Sequence, residues 1–155
     1  MITWQCKLFP ELTNEELYKI LQLRAEVFIV EQNCVYQDCD SKDFFSYHFT
    51  AWDNGKLLAY TRLLPIGVSY ADSASIGRVI TAFSARGQSL GKQLMERSIE
   101  EVYNLFGEVS IKISAQVYLK RFYESFSFIS EGNIYLEDGI EHIAMKKRFP
   151  SLLIQ

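Results

Sequence analysis

Residues 75–91, SIGRVIT followed by AFSARGQSLG, constrain the fold more than any other stretch of the chain. Seven residues of strand character run through a short glycine-bearing loop into a segment whose apolar residues Leu90, Leu94, Ile99, Val102 and Leu105 fall mostly on one helical face. A strand that feeds a helix through so short a loop, with a further strand (EVSIKIS) behind it, implies neighbouring parallel strands joined by a crossover helix. The first N–H groups of that helix lack intrahelical partners, and the helix dipole adds positive charge there. A glycine-bearing loop at this place therefore suits a phosphate, with Arg86 and Lys92 adding charge.

The rest of the chain reads as a mixed α/β fold. ITWQCKL alternates in part and is a first strand; TNEE from Thr13 to Glu16 is a capping box that opens a helix. That helix carries Leu17, Ile20, Leu21, Val27 and Phe28 on one stripe, with Arg24 and Glu31 in the same stripe. YHFTAWD and KLLAYTRLL flank Asn54-Gly55, the strongest short signal for a hairpin. AQVYLKRFYESF is a short helix and IEHIAMKKRF a last strand. A central mixed sheet flanked by helices follows. With 155 residues and no linker-like stretch, the expectation is a single domain over 1–155.

Composition narrows the function. The net charge of −3 speaks against a nucleic-acid surface, which needs a basic stripe, so the 14% aromatic content belongs in a core. No apolar run approaches the roughly 20 residues that span a bilayer, and the N-terminus has no signal-peptide pattern. Cys6, Cys34 and Cys39, without CxxC spacing, fit reduced thiols and a cytoplasmic protein. Cys34, Cys39, Asp40 and His48 match no structural zinc spacing, so no metal is expected.

The loop is neither a Walker A motif, since no GK[ST] follows, nor a dinucleotide GxGxxG. It resembles the pyrophosphate loop, [QR]-x-x-G-x-[GA], of the GNAT superfamily of N-acetyltransferases. QVYLKRFYESFSF (116–128) resembles the later segment of that superfamily, in which a tyrosine lies on a short helix. LRAEVFIVEQNCVYQDCD, RVITAFSARGQSLGKQLM and YLEDGIEHIAM resemble the ElaA-type family within it, over nearly the whole chain. The resemblance implies the GNAT acyl-CoA N-acyltransferase fold and an enzyme that moves the acetyl group of acetyl-CoA to an amine of a small molecule or a protein, by direct transfer in a ternary complex. Val79, Ile80 and Thr81 would offer backbone hydrogen bonds to the pantetheine arm. Arg86, Gly87, Gln88, Ser89, Leu90, Gly91 and Lys92 would hold the pyrophosphate, and Gln116 and Phe122 would complete the coenzyme contacts. The implied partner is the amine acceptor; a homodimer is compatible with the resemblance, and neither nucleic acid nor membrane is expected. A non-catalytic acyl-CoA-binding module is the alternative.

Two glycines of the superfamily pattern are serines here, Ser89 in the loop and Ser127 before Phe128. Serine favours helix starts, so Ser89 is expected at negative φ, with its N–H still donating and its hydroxyl free to cap or to meet a phosphate. For the chemistry, Tyr123 matches the superfamily's general acid; a phenol of pKa about 10 donates to a developing thiolate. The base stays open among Glu31, His142 and His48. Glu31 lies on an apolar stripe where burial would raise its pKa, unless an ion pair with Arg24 lowers it. The two histidines titrate near neutrality. The loop acids Asp38, Asp40 and Asp43 either attract a cationic amine or form a solvated acidic loop.

Overall fold

The computed structural model describes residues 1–150, so residues 151–155 of the expected domain span lie outside the described residues. Strand β1 (Thr3–Leu8) leads to helix α1 (Asn14–Arg24), which continues as a π-helical segment, Ala25–Glu31. Strands β2 (Tyr47–Asp53), β3 (Lys56–Leu64) and β4 (Ser75–Thr81) follow, then α2 (Leu90–Phe106), β5 (Ile111–Gln116), the short α3 (Lys120–Glu124), and the hairpin of β6 (Ile129–Glu137) and β7 (Ile140–Lys147).

Local chemistry accounts for the element ends. Thr13 Oγ1 accepts from Glu16 N at 3.1 Å, and Glu16 Oε1 accepts from Thr13 N at 2.8 Å, the reciprocal capping box expected at the start of α1. Asn54 and Gly55 both hold positive φ, +48° and +76°, as a two-residue hairpin turn requires. The expected single helical stripe from Leu17 to Glu31 does not survive past Arg24. The π segment closes i→i+5 bonds, such as Gln32 N to Val27 O at 3.2 Å and Cys34 N to Ile29 O at 3.1 Å. Each such turn takes one more residue than an α-turn, so a 3.6-residue stripe loses its register. Arg24 is fully buried, whereas Glu31 faces solvent.

The strands form two sheets, β1-β2-β3-β4 and β5-β7-β6, antiparallel throughout. The expected parallel pairing of β4 with β5 shrinks to one bridge, Ala74 with Ile111. There Ala74 N donates to Ser110 O and Lys112 N to Ala74 O, both at 2.9 Å. Beyond it the two strands pair no further, which leaves a seam open between their C-terminal ends. Helix α2 buries Leu94, Met95 and Val102 against Ile111, Ile113, Tyr123, Phe128 and Met145, a core that ties the two sheets together on one face. A second cluster, with Ile20, Leu23, Val27, Tyr60 and Ile80, packs α1 and the π segment on the other face.

Candidate active site

The seam between β4 and β5 is a cleft of about 880 Å³. One wall is the free edge of β4. Ala82 N donates to Leu58 O at 2.8 Å, and Thr81 stands opposite Ala59. The alternation of an antiparallel ladder then turns the peptide groups of Thr81, and of Val79 two residues before it, to the open edge. Thr81 O accepts from Arg86 Nη2 at 3.4 Å, in keeping with that direction. Ile80 pairs with Tyr60, and by the same alternation its peptide groups turn to β3, so of the three residues Val79 and Thr81 present theirs to the open edge. The free edge begins at a bulge: the register passes from Tyr60–Ile80 to Arg62–Gly77, and Arg78 holds φ +52°.

At the mouth of the cleft the loop runs into α2. Gly87 takes φ +83°, and a Cβ built there would meet no atom within 4 Å, so the backbone lies open to a ligand. Ser89 overturns the expectation of negative φ. It is the N-cap of α2 at φ +58° and ψ +19°, in the left-handed region, and its hydroxyl makes no capping bond. The first helical bond runs from Gln93 N to Ser89 O at 3.2 Å, which leaves the N–H groups of Leu90, Gly91 and Lys92 without intrahelical partners. Gly91 keeps the helix start close to Phe122: a Cβ there would lie 4.0 Å from Phe122 Cζ. Gln88 is exposed beside Gly87. These free donors, the dipole and the open backbone at Gly87 suit a pyrophosphate. Arg86 lines the cleft, and its guanidinium forks onto the carboxylate of Glu31, with Nη2 to Oε2 at 2.8 Å and Nη1 to Oε1 as the second arm. At the far end of β5, Gln116 Nε2 donates across the cleft to Gln32 Oε1 at 3.2 Å.

The structure sorts the proton-transfer candidates. Tyr123, on α3, lines the cleft at 6% exposure, and its hydroxyl makes no hydrogen bond among the described residues. Burial pushes its pKa up, so it holds its proton. Glu31 is neither buried nor paired with Arg24; the bond from Arg86 lowers its pKa and commits it as a carboxylate. His48 is 1% exposed and does not line the cleft. Its Nε2 donates to Asp43 O at 2.9 Å, and its Nδ1 accepts from Tyr60 Oη at 2.6 Å. Both ring nitrogens are thus occupied, and burial lowers its pKa. His142 does line the cleft. Its Nδ1 lies 2.7 Å from Ile140 O, and its Nε2 lies 3.3 Å from Glu137 Oε2.

The loop acids do not present free charge. Arg24 binds Asp38 and Asp43 at 2.9 and 2.7 Å; Arg62 binds Asp40 and Asp43 at 2.6 and 3.0 Å; Arg78 binds Asp38 at 2.8 Å. The network straps residues 38–43 onto the sheet as a second wall of the cleft. Cys34 is buried and donates Sγ–H to Asp138 O at 3.3 Å, a packing contact between the loop and the β6–β7 turn. Among the described residues no group of His, Cys, Asp or Glu has the arrangement to hold a metal ion. Arg78, Lys42 and Glu137 are among the cleft residues that reading by sequence missed. Only Glu137 left a trace there, as the acid of the EDG turn that carries His142 toward the cleft.

A sheet split at β4–β5, with a glycine loop and a helix start at its mouth, defines an acyl-CoA N-acyltransferase fold. The family model of the acetyltransferase (GNAT) domain matches residues 10–149, and the chain belongs to that family. Within it the chain is ElaA-like. It is 41% identical to protein ElaA of Escherichia coli strain K12, over 95% of this chain and 97% of that one. The crystal structure of Escherichia coli ElaA superposes with a TM-score of 0.89 at 40% identity, covering 96% and 100% of the two chains. An acyl-CoA N-acyltransferase from Pseudomonas aeruginosa matches with a TM-score of 0.90 at 44% identity, over 95% of this chain and 99% of that one. No described helix is long and apolar enough to cross a membrane.

Proposed function

We propose that this chain transfers the acetyl group of acetyl-CoA to an amine, directly and within a ternary complex. Tyr123 at the β4–β5 split carries the reading: a buried phenol, raised in pKa, aligned with no internal acceptor, in the wall of the cleft. The pyrophosphate lies on the N–H groups of Leu90, Gly91 and Lys92 and the open backbone at Gly87, with Arg86, Gln88 and Ser89 around it. The pantetheine arm adds to the free edge of β4 as a further strand would, through Val79 and Thr81. Phe122 and Gln116 bound the coenzyme on the β5 side.

The chemistry needs a proton acceptor for the amine and a proton donor for the thiolate. Ile140 O only accepts, so Nδ1 of His142 carries the hydrogen and Nε2 is the free base. A proton taken from the amine arrives on Nε2, which lies 3.3 Å from Glu137 Oε2. The neutral amine nitrogen then bonds the acyl carbon; as the carbon–sulfur bond breaks, Tyr123 hands its proton to the leaving sulfur, and the second proton that the nitrogen sheds on becoming an amide restores the phenol. Substituting Tyr123→Phe removes the proton donor and keeps the ring. We expect kcat for amine-dependent thiol release to fall about 100-fold, with acetyl-CoA affinity within twofold of wild type by calorimetry. Full kcat in the variant would rule the acid role out.

A further inference from the structure

Away from the α2 start, the cationic residues that line the cleft, Lys42, Arg62 and Arg78, lie on one wall. Arg24, behind that wall, Arg62 and Arg78 converge on Asp38, Asp40 and Asp43. The three acids are taken up by the three arginines, and Arg78 reaches Asp40 as well, at 3.5 Å. Lys42 is left with Ser69 Oγ alone, at 3.1 Å, and forms no ion pair among the described residues. Donors are in surplus too. Arg78 uses Nε and Nη2 on Asp38, while Nη1 makes no hydrogen bond among the described residues. Arg62 also keeps Nε without a partner, but that atom is buried beside Gly77 and is not offered to a ligand. Lys42, Arg62 and Arg78 all line the cleft. Arg78 also holds a left-handed backbone, a strain that a bulky residue retains where its position is fixed by its surroundings.

The facing wall has the opposite character, with Glu137 and the Nε2 of His142. Ser69 and Tyr70 span the two: Ser69 accepts from Lys42, and the Tyr70 phenol is close enough to Glu137 to feel its charge. A small molecule therefore meets a surplus of positive donors on one side and a carboxylate with a base on the other.

We infer that the acceptor is an amino acid: an amine that carries its own carboxylate, with the carboxylate on Lys42 and Arg78 and the amino group toward His142 and Glu137. The inference rests on the transfer reaction proposed above and deepens it. A lysine side chain within a protein carries no free α-carboxylate beside its amine and would leave Lys42 and the free arm of Arg78 without an anionic partner. Lys42 and Arg78 set which amine is accepted; they do not take part in bond making.

The test compares matched acceptors: L-amino acids, their carboxamides, and the amines left by removing the carboxyl group, each with saturating acetyl-CoA. Thiol release is followed in wild type, Lys42→Met and Lys42→Arg. In wild type we expect kcat/KM at least tenfold higher for one or more amino acids than for their carboxamide and plain amine. The preference should collapse in Lys42→Met, through KM, and persist in Lys42→Arg, which keeps the charge. Equal rates for amino acid and carboxamide, or a preference for the plain amine, would overturn the inference while leaving the transferase reading intact. Absence of thiol release with every amine would instead defeat the transferase reading. Calorimetry of the same compounds on the CoA-saturated protein then decides the inference alone: amino acids binding at least tenfold tighter than carboxamides uphold it, and equal or no binding overturns it.

Discussion

Ser89 holds a left-handed backbone at the point where the loop becomes α2, and Ser127, the other serine at a glycine position of the superfamily pattern, does the same at φ +73°. A left-handed conformation costs an L-residue about 1–2 kcal/mol. The Ser89 hydroxyl offsets none of it by capping the helix. Glycine at this position relieves the clash, against an entropic penalty of about 0.5–1 kcal/mol for its freer unfolded chain. Ser89→Gly should therefore raise stability by about 0.5–1 kcal/mol, read as a higher midpoint in urea unfolding at unchanged slope. A lower midpoint would mean that the serine side chain makes a compensating contact. The sequence shows which residue type stands at 89 but not its backbone angle; helix-start statistics favour negative φ, and the need of the loop to turn its N–H groups outward prevails over them. The place of Tyr123 in the cleft wall was readable because its motif fixes the position. The separation of His142 from His48 was not, because both are strand histidines and only the ladder decides which one faces the seam.

Among the elements, those set by local chemistry were legible: the capping box at Thr13, the Asn54-Gly55 hairpin and the amphipathic α2. The π segment and the parting of β4 from β5 were not, because both depend on what packs against them. The π segment has a functional consequence. By breaking the helical stripe it turns Glu31 away from Arg24 and onto Arg86, across the mouth of the cleft. Arg86 is then held by a carboxylate and by Thr81 O, both of which would compete with a pyrophosphate in the proposed complex. Glu31→Gln weakens that hold. The expected outcome is acetyl-CoA binding tightened severalfold in calorimetry, with the gain shrinking as salt rises, because an exposed pair is screened. Weaker binding in the variant would show that Glu31 orients Arg86 for the coenzyme.

At the scale of the molecule, two sheets meet at one bridge and are held by one core, while a buried network of arginines and aspartates fastens the loop over the cleft. That network sets the pH response. Burial works to raise the pKa values of Asp40 and Asp43, but their arginine partners prevail and hold them below the usual carboxylate value. Burial likewise lowers His48. In each case the folded state binds protons less readily than the unfolded chain, so stability rises with pH and is lost on acidification. The melting temperature should be level between about pH 7 and 8, decline gently below about 6.5 as His48 is forced toward protonation, and drop steeply below about 4 as the aspartates protonate. His48→Gln should remove the gentle phase and keep the steep one. A melting temperature that rises between about pH 7 and 5.5 would contradict this assignment.

The most direct test of the account is amine-dependent release of free thiol from acetyl-CoA by the purified protein, run beside the Tyr123→Phe variant, with the N-acetylated product identified by mass spectrometry. Stoichiometric thiol and N-acetyl amine are expected from the wild-type protein, with a rate lower by about two orders of magnitude in the variant. Tight binding of acetyl-CoA with no thiol release from any amine would contradict it and would mark the cleft as a binding module.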